Sequence, residues 1–178
     1  MNKLSFSLLM LLCFFYSCNS NKVDFAIVVH GGAGTILKKN MSDEMELAYK
    51  LKLEEAINAG YNILEKNGSS KDAVEETIKI LENSELFNAG KGSVLSNKGV
   101  VEMDASIMNG QNLNAGAISG IKTIKNPISA ARLVMEKSEH VFLSGEGAEE
   151  FAKLQGLDII NNEYFITETR LKSLLNAK

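Results

Sequence analysis

Two short stretches hold the groups most able to do chemistry. His30-Gly31-Gly32-Ala33-Gly34 follows an apolar, β-branched run, and its glycines let bare backbone come close to a ligand or to another strand. A loop of this type can supply oxyanion-hole amides to a serine hydrolase, but that reading needs a Gly-x-Ser-x-Gly elbow, which the sequence lacks. A tight strand-to-loop turn is the alternative. The second stretch is Leu81-Glu82-Asn83-Ser84-Glu85-Leu86-Phe87-Asn88-Ala89-Gly90-Lys91-Gly92-Ser93. The Asn88 carboxamide can donate and accept hydrogen bonds without changing charge, or it can simply stabilise a turn through its own backbone. The loop from Leu81 to Lys91 offers peptide carbonyls more than side-chain ligands. Such a loop can present several oxygens to a hard cation or merely reverse the chain, and its residues leave both readings open.

Other chemistries are poorly supplied. Only two histidines, His30 and His140, occur, with no Ser-His-Asp arrangement around either. Neither sits in a His-x-x-x-His or cysteine-rich pattern, which argues against a transition-metal site. Asp104 lies in an apolar run with no second carboxylate at a useful spacing, so a structural hydrogen-bonding role is expected of it.

The elements that must position these groups follow from periodicity and caps. Phe25 to Val29 is apolar on both faces and predicts a buried strand. Ser42 predicts an N-cap for a long helix to about Lys66, with Leu53, Ala56, Ile57, Gly60, Tyr61 and Leu64 on its buried side. Asn67-Gly68 should close it, with Gly68 in the left-handed conformation. Ser69 caps a second helix bearing the stripe Ala73, Val74, Thr77, Ile78 and Leu81. Val100 to Met108 and Leu113 to Ile121, separated by Asn109-Gly110, predict a β-hairpin. Asn126-Pro127 opens a third helix, Val141 to Leu143 a short strand or link, and Ser144 another helix to about Gln155. Thr169 is the expected cap of a last helix.

The chain has 178 residues, 45% of them hydrophobic, with a net charge of −3. That suits one domain with a core, and interspersed charges without a basic patch exclude a nucleic-acid partner. Met1-Asn2-Lys3 and the apolar run Leu4 to Tyr16 read as a signal peptide, too short to span a membrane comfortably. Ser17-Cys18 is similar to a bacterial lipoprotein cleavage site, with a plain secretory signal as the alternative. The expected division is residues 1–18 as signal, 19–24 as tether and 25–178 as the folded domain. Lipidation of Cys18 would make the membrane a partner only through that anchor, and the expected location is exported: lipoprotein, periplasmic or secreted. Both cysteines fall in this leader, leaving the domain without disulfides.

In order along the chain come HGGAG, LFNAGKGSV, MDASIMNG, NPISAARLVME and GEGAEEFA. From about Ile27 to Leu175 this pattern resembles the N-terminal (α) half of plant-type L-asparaginase/isoaspartyl peptidases, a family of N-terminal-nucleophile hydrolases. The resemblance implies an α/β (α+β) chain forming half of a four-layer α-β-β-α sandwich with two packed antiparallel sheets. It implies a precursor that cleaves itself, freeing a Thr whose hydroxyl attacks an amide while its own amine serves as base. The substrates would be the side-chain amide of L-asparagine or a β-aspartyl dipeptide. The nucleophile, the oxyanion hole and an Arg/Asp clamp would come from a second half outside these residues, so no catalytic residue is assigned here and the chain alone is expected to be inactive. Carried over by position, His30, Gly31, Gly32 and Asn88 would support the active site. A structural sodium ion would be held by main-chain carbonyls of Leu81, Glu82, Ser84, Phe87, Ala89 and Lys91. No organic cofactor is implied. The partners would be the chain's own β half and a second αβ unit. The alternatives are a non-catalytic exported binding module or an inactive truncated remnant on the same scaffold.

Overall fold

The computed structural model describes residues 25–33 and 41–178, so the leader, the tether and Cys18 lie outside the described residues, as does Gly34. The order is helix α1 (Asp43–Glu65), α2 (Ser70–Glu82), a 3-10 turn at Gly90–Gly92, strands β1 (Met103–Met108) and β2 (Ala115–Ile121), α3 (Pro127–Lys137), β3 (Phe142–Ser144), α4 (Gly145–Leu154), a 3-10 turn at Asn162–Phe165, and α5 (Glu168–Ala177). The class is mixed α/β. The described residues form one three-stranded sheet in the order β1-β2-β3. β1 and β2 run antiparallel, with a register shift between Met103 and Ala105, while β3 joins β2 in parallel.

Helix starts follow local chemistry. Ser42 accepts from the Met45 amide and Ser69 from the Asp72 amide, each satisfying an orphan donor of the first turn. Pro127 occupies the start of α3, where its missing N–H costs nothing. The last helix starts earlier than expected. Thr167, not Thr169, caps α5 by accepting from the Arg170 amide.

Four further expectations are corrected. Residues 25–30 form neither strand nor helix and have no ladder partner among the described residues, and Val28 is 90% exposed. A β-branched run becomes a strand only where a neighbouring strand takes up its amides and carbonyls. Here it instead runs along α1, with Phe25 edge-on to Tyr61 at 5.1 Å. At the end of α1 the left-handed residue is Asn67 (φ 60), not Gly68. The Gly68 and Asn67 amides donate to the Ile63 and Leu64 carbonyls, the paired bonds of a Schellman ending. In the hairpin the left-handed residue is Leu113 (φ 62), and Asn109 bonds to Asn114 across a loop wider than a two-residue Asn-Gly turn. Val74, expected on the buried stripe of α2, is 42% exposed.

The main core lies between the sheet and helices α3 and α4: Val101, Met103, Ile107, Ile118, Ile121, Ile124, Ala131, Val134, Ala148, Ala152 and Phe165. A smaller cluster of Ala56, Leu81 and Phe87, with Tyr49 and Leu53 against it, packs α1 and α2 together beneath the two motifs. Between α2 and α3, the Arg132 guanidinium meets Asp72 at 2.6 Å and Glu75 at 2.7 Å, fixing the relative rotation of the two helices.

Candidate active site

α2 ends at Glu82 because the chain must reverse there, and the reversal builds the loop that carries Asn88. The Glu82 side chain is buried and leaves the loop. Its carboxylate accepts from the Ile128 amide at 2.9 Å and from Asn126 Nδ2 at 3.0 Å, capping α3 from outside. Burial pushes this carboxyl up to about 7, outweighing the two hydrogen bonds that favour its charged form.

The loop is fastened to α1 as well. The Tyr49 hydroxyl donates to the Leu86 carbonyl at 2.8 Å, and its ring meets Phe87 edge to face at 5.6 Å. Phe87 is buried, so Asn88, next in the chain, is turned outward. Asn88 Oδ1 accepts from the Val94 amide at 2.8 Å, which fixes the carboxamide and leaves its NH2 group directed by that bond. The His30 segment lies against the same cluster: a side chain added at Gly31 would meet Leu53 Cδ2 at 3.1 Å and Phe87 Cε1 at 3.4 Å. Phe87 is therefore the wall shared by both motifs.

Between them opens a cavity of about 660 Å³ lined by His30, Gly31, Gly32, Tyr49, Phe87, Asn88 and Arg170, among others. The structure thus brings together all four residues expected to support an active site. His30 is exposed, with Nδ1 facing the Gly32 amide at 3.3 Å. His140 lies beyond α3 and does not line the cavity. Asp104 accepts from the Gly120 amide at 2.8 Å, and its carboxyl is held below the usual range by Ser119 first and this amide second, a structural role in the hairpin. Arg170, in the first turn of α5, was not singled out by sequence reasoning. Its Nε donates to the Gly92 carbonyl at 2.6 Å, and among the described residues it makes no ion pair. No spacing in the sequence marks it, because it meets the loop only through the fold.

The loop's fit to a hard cation can be tested on its own atoms. A side chain at Gly90 would stand 2.1 Å from the Glu82 carbonyl oxygen, and one at Gly92 2.1 Å from that of Phe87. Two of the six expected oxygens thus face positions that only glycine leaves open. The Ala89 carbonyl accepts one bond, from the Gly92 amide, and keeps a second lone pair, whereas the Leu81 carbonyl accepts from both the Asn83 and Ser84 amides. The Lys91 ammonium is drawn to Glu85 at 2.8 Å and lies 5.7 Å from the Tyr164 ring centroid, so its charge is paired away from the loop carbonyls. Among the described residues no group of three or more His, Cys, Asp or Glu could hold a metal through side chains. An all-oxygen, main-chain donor set suits sodium or a similar hard ion.

Comparison with known proteins gives the family. A family model described as asparaginase matches residues 23–178. The chain is 48% identical over 152 residues to a putative isoaspartyl peptidase/L-asparaginase of Dictyostelium discoideum, covering 85% of this chain and 44% of that protein. It is 49% identical over 153 residues to an isoaspartyl peptidase/L-asparaginase of Xenopus laevis, covering 85% and 48%. Against a plant-type L-asparaginase of Thermococcus kodakarensis it is 54% identical over 148 residues, covering 83% and 45%. The chain spans about half the length of the curated relatives it matches. It belongs to the asparaginase family, among relatives named isoaspartyl peptidases and plant-type L-asparaginases.

Proposed function

We propose that this chain supplies the N-terminal wall of an amidohydrolase that cleaves the side-chain amide of L-asparagine, β-aspartyl dipeptides, or both. The observation that carries the reading is the cavity of about 660 Å³ that joins the His30-Gly31-Gly32 backbone to Asn88. Attack on an amide needs a nucleophile, a donor set for the developing oxyanion and groups that hold the nucleophile in line. His30 to Gly32 and Asn88 are suited to the last task, because they are polar or bare and are held by Phe87 and Val94. The nucleophile is a Thr expected in sequence beyond these residues, exposed by self-cleavage of a precursor, so the chain alone is inactive. The main-chain carbonyls of Leu81, Glu82, Ser84, Phe87, Ala89 and Lys91 hold a structural sodium ion, whose charge would stiffen the loop behind Asn88. The working unit pairs this half with its β half, and two such units form a dimer. The leader exports the protein and Cys18 carries a lipid.

The test uses protein expressed from the complete reading frame. Ammonia release from L-asparagine and leucine release from β-aspartyl-leucine are followed, and the purified protein is run on a denaturing gel. Two fragments with turnover of either substrate support the reading. Turnover by residues 19–178 alone, or an uncut protein inert towards both substrates, would overturn it. Labelling with radioactive palmitate, present in wild type and lost in Cys18→Ser, tests the anchor separately.

A further inference from the structure

We infer that Arg170 is a positioning residue for Asn88, an inference that rests on the reading of this cavity as an amidohydrolase site. Arg170 sits in the first turn of α5, whose start is fixed by the buried Thr167 cap. Its Nε donates to the Gly92 carbonyl at 2.6 Å across 78 positions of sequence. Two residues on, the Val94 amide donates to Asn88 Oδ1 at 2.8 Å. Between these contacts the Ser93 amide is tied back to the Gly90 carbonyl at 3.1 Å and Ser93 is buried, so Gly92 to Val94 is a short segment held at each residue. The guanidinium anchors that segment from outside the loop, and the segment in turn sets the direction of the Asn88 carboxamide.

The contact uses the Nε–H, not the charge. Glutamine places an amide NH2 where arginine has Nε, so Arg170→Gln keeps the donor and removes the charge, while Arg170→Met removes both. A single hydrogen bond of this type corresponds to about a tenfold change. In the complete protein, Arg170→Met is expected to speed hydrogen exchange of the Val94 amide about tenfold. The buried Val134 amide in α3 should be unaffected. The same variant should lower kcat for L-asparagine and β-aspartyl-leucine by the same factor with KM unchanged, and Arg170→Gln should recover most of both losses.

Unchanged Val94 exchange in Arg170→Met would overturn the inference. So would Arg170→Gln behaving like Arg170→Met, since the charge would then be what matters. Faster exchange at Val134 as well would reduce the effect to general loosening and likewise overturn it. A wild-type protein inert to both substrates would sink the amidohydrolase reading alone, and Val94 exchange would still decide whether Arg170 orders the Asn88 contact.

Discussion

Tyr49 on α1 and Phe87 in the following loop meet edge to face at 5.6 Å, and the Tyr49 hydroxyl is bonded to the carbonyl of the residue before Phe87. One side chain therefore fixes both the ring that walls the cavity and the backbone leading to Asn88. Tyr49→Phe should cost about 1 kcal/mol, the worth of one hydrogen bond. Tyr49→Ala should cost about 3 kcal/mol, since it also opens a space beside Phe87. Urea midpoints of the two variants check this, and equal losses would mean that the ring contact contributes nothing.

Asn88 is the residue whose replacement separates holding from helping. Asn88→Asp keeps an oxygen for the Val94 amide but loses the NH2 donor. It should leave the melting temperature within a few degrees of wild type and lower kcat on the order of a hundredfold, the usual cost of losing one donor at a reacting centre. Asn88→Ala should lose both properties. Full activity in Asn88→Asp would remove the carboxamide from the site.

Glu82 ties stability to pH in an unusual direction for a carboxylate. Its carboxyl is pushed from 4.5 to about 7 on folding, so the folded protein holds that proton more tightly than the unfolded chain does. Its contribution is present in full below pH 4.5, falls as pH rises through the window up to about 7, and is gone above it. Glu82→Gln is neutral throughout and should flatten that part of the stability profile. Denaturation of both proteins at pH 5 and pH 8 makes the comparison, and parallel profiles would rule out Glu82 as the source.

The sodium reading predicts a specific ion effect. At constant ionic strength, replacing choline by sodium should raise the melting temperature, because an ion that binds only the folded loop stabilises it by mass action. Gly90→Ala should abolish the difference, since its side chain would stand 2.1 Å from the Glu82 carbonyl and Gly90 has φ +51. Equal melting in the two salts would leave the loop without an ion.

What the residues made legible was local. Ser42, Ser69 and Pro127 start helices because a cap or a missing N–H acts within one turn and needs no distant partner. Thr167 and Thr169 are chemically alike, and which of them caps α5 depends on where the chain leaves the preceding 3-10 turn. Phe25 to Val29 looks like a buried strand, yet a ladder is a property of two segments, and one run cannot announce its partner. The same applies to the site. HGGAG and LFNAG could be joined only through their resemblance to a family. Tyr49, which binds the loop, and Arg170, which reaches Gly92 from the far end of the chain, carry no pattern of their own.

The outside cap on α3 has a mechanical consequence. Because the Glu82 carboxylate closes a helix through an amide 46 residues further on, that of Ile128, the loop beginning at Glu82 cannot swing open by itself. Any motion that pulled Glu82 away would strip the first turn of α3 of its stopper and disturb the sheet beneath it. Loop and helix start thus form a single latch, and a cavity wall that looks like surface loop shares the rigidity of the core.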